Sequence, residues 1–464
     1  MSFDSLEYLV FLPVVALVYR FTPGKWRWLP LLGASWFFYA SWHAALTALI
    51  IGVTAASWVA GLLISRTQDR RMQRLFLALD MIVCLGLLGY YKYAGFLTES
   101  LSALWQLLGG QGFDAWAVIL PVGVSFYTFQ AMSYVVDVYR GDLAVERHFG
   151  YFALYVSFFP QLVAGPIERA TSLLPQLRAH RNATAADARM GLRLLAAGFF
   201  RKVVAADFAA RFVERVYALD APDGLSVLAG TLLFALQIYC DFSGYSEIAA
   251  GSARLMGVRL MRNFDRPYLA ASIREFWRRW HISLSTWFTD YVYIPLGGSR
   301  RGRARQILAT LAVFALSGLW HGAAWTFVVW GLLHGAMMTA DILLRDRLPK
   351  GRTGRLLMTA ATFAAVTLTW IFFRAESLSH AEMLLHSLFS GWDASLAAAQ
   401  LGMTAMDVLQ IAGVLMLFPL LHRVTEEEKP VPDLWISLLA LAVGFSWLMR
   451  LESGAVSAFI YFQF

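Results

Sequence analysis

The chain has 464 residues, 58% of them hydrophobic and 15% charged, with a net charge of +8. Globular proteins carry roughly a quarter charged residues, so this composition excludes a soluble domain and predicts an all-α polytopic membrane protein. The basic excess needs no nucleic-acid partner, because Lys and Arg retained in cytoplasmic loops produce it, and Cys84 and Cys240 lie in apolar stretches without metal or CxxC spacing, so neither a disulfide nor a metal is expected.

Leu9 to Phe21, Trp28 to Trp42 and Ala44 to Ile64 read as the first spans. Met1 to Glu7 lacks the basic region of a cleavable leader, so the first span is expected to stay as an anchor. The loop from Arg66 to Arg74 sets four arginines against Asp69, which predicts a cytoplasmic loop and an outer N-terminus, with Lys25 and Arg27 also cytoplasmic. Leu75 to Tyr91 returns outward and Leu120 to Val138 comes back. Ala153 to Ala164 closes on a stretch in which Pro160 and Pro166 bracket Gly165, so it is not a plain helix throughout. Arg169 to Arg215 is basic and then amphipathic, as a cytoplasmic or interfacial segment would be. Leu225 to Tyr239 is the next span. It runs into a polar set, Gln237, Asp241, Ser243, Tyr245 and Ser246, of which Asp241 is the costly member in an apolar setting.

Ser272 and Glu275 form a capping-box pattern. Apolar residues then recur at helical spacing from Ile273 to Tyr291, predicting an amphipathic helix with His281 on the apolar stripe, four residues after Trp277. Pro295, Gly297 and Gly298 end it, and Arg300, Arg301, Arg303 and Arg305 tether it to cytoplasmic headgroups. From Ile307 to Ala340 there is no Asp, Glu, Lys or Arg. At about 20 residues per crossing the run is too long for one span and barely enough for two. Its middle, Ser317 to Gly322, must therefore break or turn, and it carries His321. A titratable group there is a functional candidate by default, against the plainer reading of a turn histidine that caps a carbonyl. His334 follows in the same run, as a tunnel residue or a hydrogen-bonded packing histidine. Arg345 to Arg355 reads as cytoplasmic, and Leu357 to Phe373, Met406 to Leu421 and Leu434 to Met449 as the last spans. The whole, residues 1–464, reads as one membrane domain of about ten to twelve crossings or partial crossings. Four of the last six residues, Phe459 to Phe464, are aromatic, where termini are usually polar; an interfacial anchor is the plainer account.

At these motifs the sequence resembles the membrane-bound O-acyltransferase family, and most closely its bacterial branch that acylates exopolysaccharide and cell-envelope polymers. The likeness covers nearly the whole chain, including Pro121 to Tyr127, Pro160 to Ile167, Asp241 to Ser246, Glu275 to Ser285 and Leu319 to Gly322. It implies a ring of tilted helices around a tunnel in a bacterial inner membrane, with His321 catalytic and His281 a second functional polar residue. A thioester such as acetyl-CoA would be the donor, bound as a substrate and not as a tight cofactor. The implied acceptor is an extracytoplasmic polysaccharide, reached through a periplasmic SGNH-hydrolase-like partner and a polymer synthesis or export complex, with membrane lipid around the protein. Some alginate-acetylating members carry a histidine where this chain has Gln161, which speaks against alginate and leaves cellulose, another exopolysaccharide or peptidoglycan open. The terminal aromatics resemble the C-terminal motif of a small partner in teichoic-acid D-alanylation, in which a tyrosine carries the acyl group; this points to Tyr461.

Acyl transfer from a thioester to a hydroxyl needs a base and a donor for the developing oxyanion. A buried, neutral His321 fits the first role. His281 would orient the carbonyl, stabilise the oxyanion or fix the tautomer of His321, and Asp241 is a candidate orienter. A phenol with a reference pKa of about 10 stands closer to a thiol at about 8.5 than a sugar hydroxyl does, so an ester on Tyr461 keeps much of the thioester's transfer potential. Gln237, Ser243, Tyr245, Trp277, Trp280 and Trp320 are candidate tunnel residues, with packing as the plainer role of the tryptophans. The rival classes are a secondary transporter, whose halves usually show matching helix breaks, and an acyltransferase for lysophospholipid or protein.

Overall fold

The computed structural model describes residues 1–163, 165–344, 349, 351–427, 429, 431–453, 459 and 460, and among these every regular element is helical. They group into two compact units, Met1–Leu192 with Ala249–Met261, and Arg193–Ile248 with Arg262–Phe464. Among the described residues, six helices are long and apolar enough to cross a membrane: Ala44–Arg66, Arg70–Leu107, Gly224–Leu255, Trp325–Leu344, Gly351–Arg374 and Ala405–Thr425.

The first unit contains α1 (Leu6–Phe21), α2 (Trp28–Ala40), α3 (Thr47–Arg66), α4 (Arg70–Leu88), α5 (Ala94–Leu107), α6 (Val124–Arg140), α7 (Phe149–Ser157), α8 (Phe159–Leu162), α9 (Ala170–Arg178) and the start of α10 (Ala185–Phe199). Phe3, Tyr8, Phe11, Phe38 and Phe159 cluster there at tilted and edge-to-face angles, and the Tyr8 hydroxyl bonds Ser252 at 2.7 Å. Pro160 sits in the first turn of α8, the position that tolerates it, and so α7 and α8 are separate helices rather than one. Gln161 is spent on this break: its Nε2 donates to the Tyr155 carbonyl at 2.6 Å.

In the second unit α10 continues through a π-helical turn, Phe200–Ala206, into α11 (Asp207–Tyr217). There follow α12 (Gly224–Leu255), α13 (Ile273–Trp277), α14 (Ile282–Phe288), α15 (Arg303–His321), α16 (Trp325–Leu344), α17 (Gly351–Arg374), α18 (Leu378–Phe389), α19 (Ala394–Leu401), α20 (Ala405–Thr425) and α21 (Asp433–Ser453).

The stretch Arg169 to Arg215, expected to be a cytoplasmic or interfacial segment, is for most of its length a continuous helix; its second-unit part is largely buried, with Arg211, Glu214 and Arg215 exposed. Its charges are matched: Arg201 pairs with Glu247, Lys202 with Asp207 and Asp241, and Arg193 donates to the carbonyls of Arg423, Val424, Glu426 and Lys429. The predicted helix from Ser272 to Tyr291 is broken. Residues 278–281 form a turn, because His281 takes a left-handed backbone (φ 43, ψ 55) that ends α13 and starts α14.

Candidate active site

His281 and His321 come together inside the second unit. Their ring centroids lie 6.3 Å apart, and both side chains are buried. Different devices deliver them. The left-handed conformation of a residue with a β-carbon costs about 1–3 kcal/mol and persists only where its surroundings over-determine it. Asn263 supplies much of that constraint. Its carbonyl accepts from Ile282 N at 2.9 Å, its Oδ1 accepts from Ser283 N at 3.3 Å and from Ser283 Oγ at 2.7 Å, and its Nδ2 donates to Ser246 Oγ at 3.1 Å. The start of α14 is thereby fastened to the polar motif of α12. The N-terminus of α13 is fixed by Ser272 Oγ, which accepts from Glu275 N at 3.1 Å, while Glu275 reaches back to Ala271 N at 2.8 Å.

His321 is the last residue of α15, and Gly322 ends the helix in an extended conformation. The α15–α16 hairpin closes tightly because it is lined with glycine: a β-carbon on Gly318 would run into the Phe327 carbonyl, one on Gly331 into the Phe314 carbonyl, and one on Gly322 into the Phe327 ring. This close approach sets His321 against the aromatic wall of the next two helices, with Trp330 at 5.0 Å, perpendicular, and Phe373 at 5.4 Å. Trp320 lies 5.0 Å from His321 and 5.6 Å from His281, and Phe242 meets the His281 ring edge-on at 4.6 Å. Burial holds the His281 imidazole well below the usual histidine range, so it is neutral at physiological pH.

The other sequence-predicted residues separate into three groups. Trp320 joins the histidine pair. Trp277 and Trp280 line other surfaces: Trp280 packs between Phe276 at 5.5 Å and Trp370 at 5.2 Å, and Trp277 Nε1 donates to His334 Nδ1 at 3.2 Å. The acidic motif is buried on α12, where Asp241 Oδ1 pairs with Lys202 Nζ at 2.7 Å, the Lys202 ammonium lies 5.5 Å above the Tyr245 ring, and Gln237 Oε1 and Ser243 Oγ have no hydrogen-bond partner among the described residues. Tyr461 lies outside the described residues. His334 proves to be hydrogen-bonded on both nitrogens. With Trp277 donating to Nδ1, Nε2 carries the proton and faces Thr369 Oγ1 at 3.0 Å, and Thr369 in turn donates to the Val366 carbonyl at 2.7 Å.

A cavity of about 580 Å³ reaches the residues beside both histidines. Its wall includes Ile282, which follows His281, Ser317, one turn before His321, and Trp277; Arg274, Arg278 and Gln306 supply its polar side. Arg274 is held by Asp341 at 3.0 Å. Asp290 also lines the cavity, which thus presents both signs of charge.

Lys202 and Asn263 contact candidate-site residues, and sequence reasoning missed both. Lys202 sits in a basic stretch that looks like surface, and its one local signal is the π-turn, a feature common at functional sites and invisible to periodicity. Asn263 is a single amide in a loop, and nothing near it in sequence announces its partners.

The membrane-bound O-acyltransferase family model matches residues 143–378. A probable alginate O-acetylase of Azotobacter vinelandii is 40% identical over 90% of this chain and 83% of its own length, and one of Pseudomonas putida is 37% identical over the full length of both. A peptidoglycan O-acetyltransferase of Helicobacter pylori is 34% identical over 78% of this chain and 73% of its own length. With six apolar helices and this breadth of similarity, the chain belongs to the membrane-bound O-acyltransferase family and is a multi-pass membrane O-acyltransferase.

Proposed function

We propose that this protein moves acetyl groups from a cytoplasmic thioester, acetyl-CoA in the simplest case, toward an extracytoplasmic polysaccharide of the alginate class. The observation that carries the reading is the buried pair His281 and His321, 6.3 Å apart, with a cavity reaching the residues beside both. The polymer is inferred from relatives named for alginate, which match with greater identity and coverage than the one named for peptidoglycan. Gln161 does not weigh against this, because its amide is engaged with the Tyr155 carbonyl. A bacterial inner membrane fits the arginine loops Arg66 to Arg74 and Arg300 to Arg305 on one side.

In this reading Arg274 and Arg278 receive the phosphates of the donor, and the acyl thioester advances along Trp277 toward the histidines. His321 takes the proton of an attacking hydroxyl as the new C–O bond forms, and passes it to the thiolate released as the C–S bond breaks. The imidazole returns neutral and no other acid is consumed. His281, neutral and caged by Phe242 and Trp320, orients the carbonyl or donates to its oxygen. The first acceptor is the phenol of Tyr461. Its ester then passes the acetyl group to the serine of a periplasmic SGNH-hydrolase-like partner within a polymer synthesis or export complex. A lysophospholipid or protein acceptor would use the same chemistry, but the relatives' names favour a polymer.

The test is to incubate the purified protein with radiolabelled acetyl-CoA and locate label by peptide mass spectrometry. Label on Tyr461 that is lost in His321→Ala is the expected result. If Tyr461→Phe leaves polymer acetylation in cells at the wild-type level, the relay is wrong and His321 must act on an external hydroxyl.

A further inference from the structure

We infer that Asp241, braced by Lys202, is a clasp for the chain's own C-terminal segment and positions the residue that follows Ile460; this deepens the acyl-relay reading and rests on it for its functional meaning. Two residues of that segment are described, and both are buried. The Ile460 amide donates to Asp241 Oδ2 at 2.7 Å. Phe459 lies on Tyr245 with ring centroids 4.0 Å apart, and 6.0 Å from Phe242, a ring that also meets His281 at 4.6 Å.

The chemistry of the clasp follows from its position. Asp241 is the eighteenth residue of the 32-residue α12, close to the middle of a membrane-crossing helix, where a carboxylate is expensive. Lys202 meets one of its oxygens at 2.7 Å, and the same ammonium also serves Asp207 at 2.9 Å. A further donor on the other Asp241 oxygen is favourable, and a main-chain N–H supplies it. Helix packing holds this arrangement together at backbone distance: a β-carbon on Gly244 would stand 2.8 Å from the Gly198 carbonyl and 3.1 Å from Lys202 N, so α12 and the π-turn meet without intervening side chains. A buried ion pair is a poor source of stability compared with apolar packing, and capture of the Ile460 N–H is a use that apolar residues could not serve, since a buried main-chain amide needs an acceptor. Because the bond is to a backbone N–H, the clasp fixes the main chain at Ile460, the residue before Tyr461.

The decisive substitution is Ile460→Pro, which removes the donated hydrogen and leaves Asp241 and Lys202 intact. In full-length protein with acetyl-CoA, ester formation on Tyr461 is expected to fall at least tenfold below that of Ile460→Ala, which loses apolar contact but keeps the N–H. The fall should lie in the rate at saturating donor, with the KM for acetyl-CoA unchanged. Equal labelling of the two variants overturns the clasp. A second readout does not depend on the relay: Phe459→Cys, followed by peptide mass spectrometry so that Cys84 and Cys240 are told apart, is expected to resist maleimide and to become reactive when combined with Asp241→Asn. Full reactivity without Asp241→Asn overturns the proposal, as does continued protection with it. If unsubstituted protein forms no ester on Tyr461 while Asp241→Asn still exposes position 459, the clasp stands and the relay falls.

Discussion

The α15–α16 hairpin carries two buried histidines thirteen positions apart, and they are held in opposite ways. His334 lies within α16, its two nitrogens committed to Trp277 and Thr369, with Trp330 packed 4.7 Å from its ring. His321 lies at the tip, where α15 ends, 6.3 Å from a second histidine and one turn from a residue that lines a cavity. Burial alone therefore does not mark a catalytic group. A histidine inside a helix with both nitrogens in tryptophan and threonine hydrogen bonds is a fastener, whereas under the proposed function the one at the helix end is the group that exchanges a proton.

Removal of the tip histidine should have the largest effect. General acid–base catalysis contributes about 10²–10⁴-fold, and His321→Ala should lower acetyl transfer from labelled acetyl-CoA by that order while immunoblots of the membrane fraction stay unchanged. Near-normal transfer would erase the distinction between the two histidines. Next comes the constraint on the partner ring. Asn263→Ala takes the side-chain anchors from Ser283 and Ser246 and lets the left-handed residue relax. A displacement of about 1 Å can cost about 10²-fold, so transfer should fall ten- to a hundredfold; circular dichroism of the purified variant checks that its helices persist. Gly331→Leu tests the hairpin itself. The larger side chain has no room against the Phe314 carbonyl, and overpacking of this kind costs about 1–3 kcal/mol. A lower thermal midpoint in detergent together with reduced transfer would show that the tip depends on the close approach of the two helices, whereas a normal midpoint would show that the hairpin can part without penalty.

The break at Ser317 to Gly322 and the burial of His321 beside it were legible in the sequence because each is local: an uncharged run, two glycines and an ionisable group in the wrong solvent. The cap at Ser272 formed for the same reason, although Glu275 reaches back to Ala271 N and not to Ser272 N, so the box is incomplete. His281 was legible as a buried histidine but not as a left-handed one, since the anchor that over-determines it, Asn263, approaches from a different loop. The Asp241–Lys202 pair lay further from reach. Thirty-nine positions separate the two residues in the chain, and hydrophobic periodicity reads Lys202 as surface because it scores the residue without the carboxylates that neutralise it. His334 shows the limit from the other side. Its charge-free surroundings resemble those of His321, and only the positions of Trp277 Nε1 and Thr369 Oγ1 in space separate the two.

The smallest expected effect is the one that bears most directly on that contrast. Thr369→Val keeps the shape of the side chain and removes one hydroxyl, leaving His334 Nε2 without its partner at 3.0 Å. Side-chain hydrogen bonds between membrane helices contribute about 0.6 kcal/mol on average and rarely more than about 1.7, so the thermal midpoint should drop slightly and acetyl transfer should stay within about threefold of wild type, given that 1.4 kcal/mol corresponds to tenfold. A double-mutant cycle with His334→Leu separates the hydrogen bond from the packing of the ring: if the bond is the fastener, the two losses are less than additive. Should Thr369→Val instead lower transfer a hundredfold with an unchanged midpoint, His334 would belong to the proton path, and the tip of the hairpin could no longer be treated as its sole chemical end.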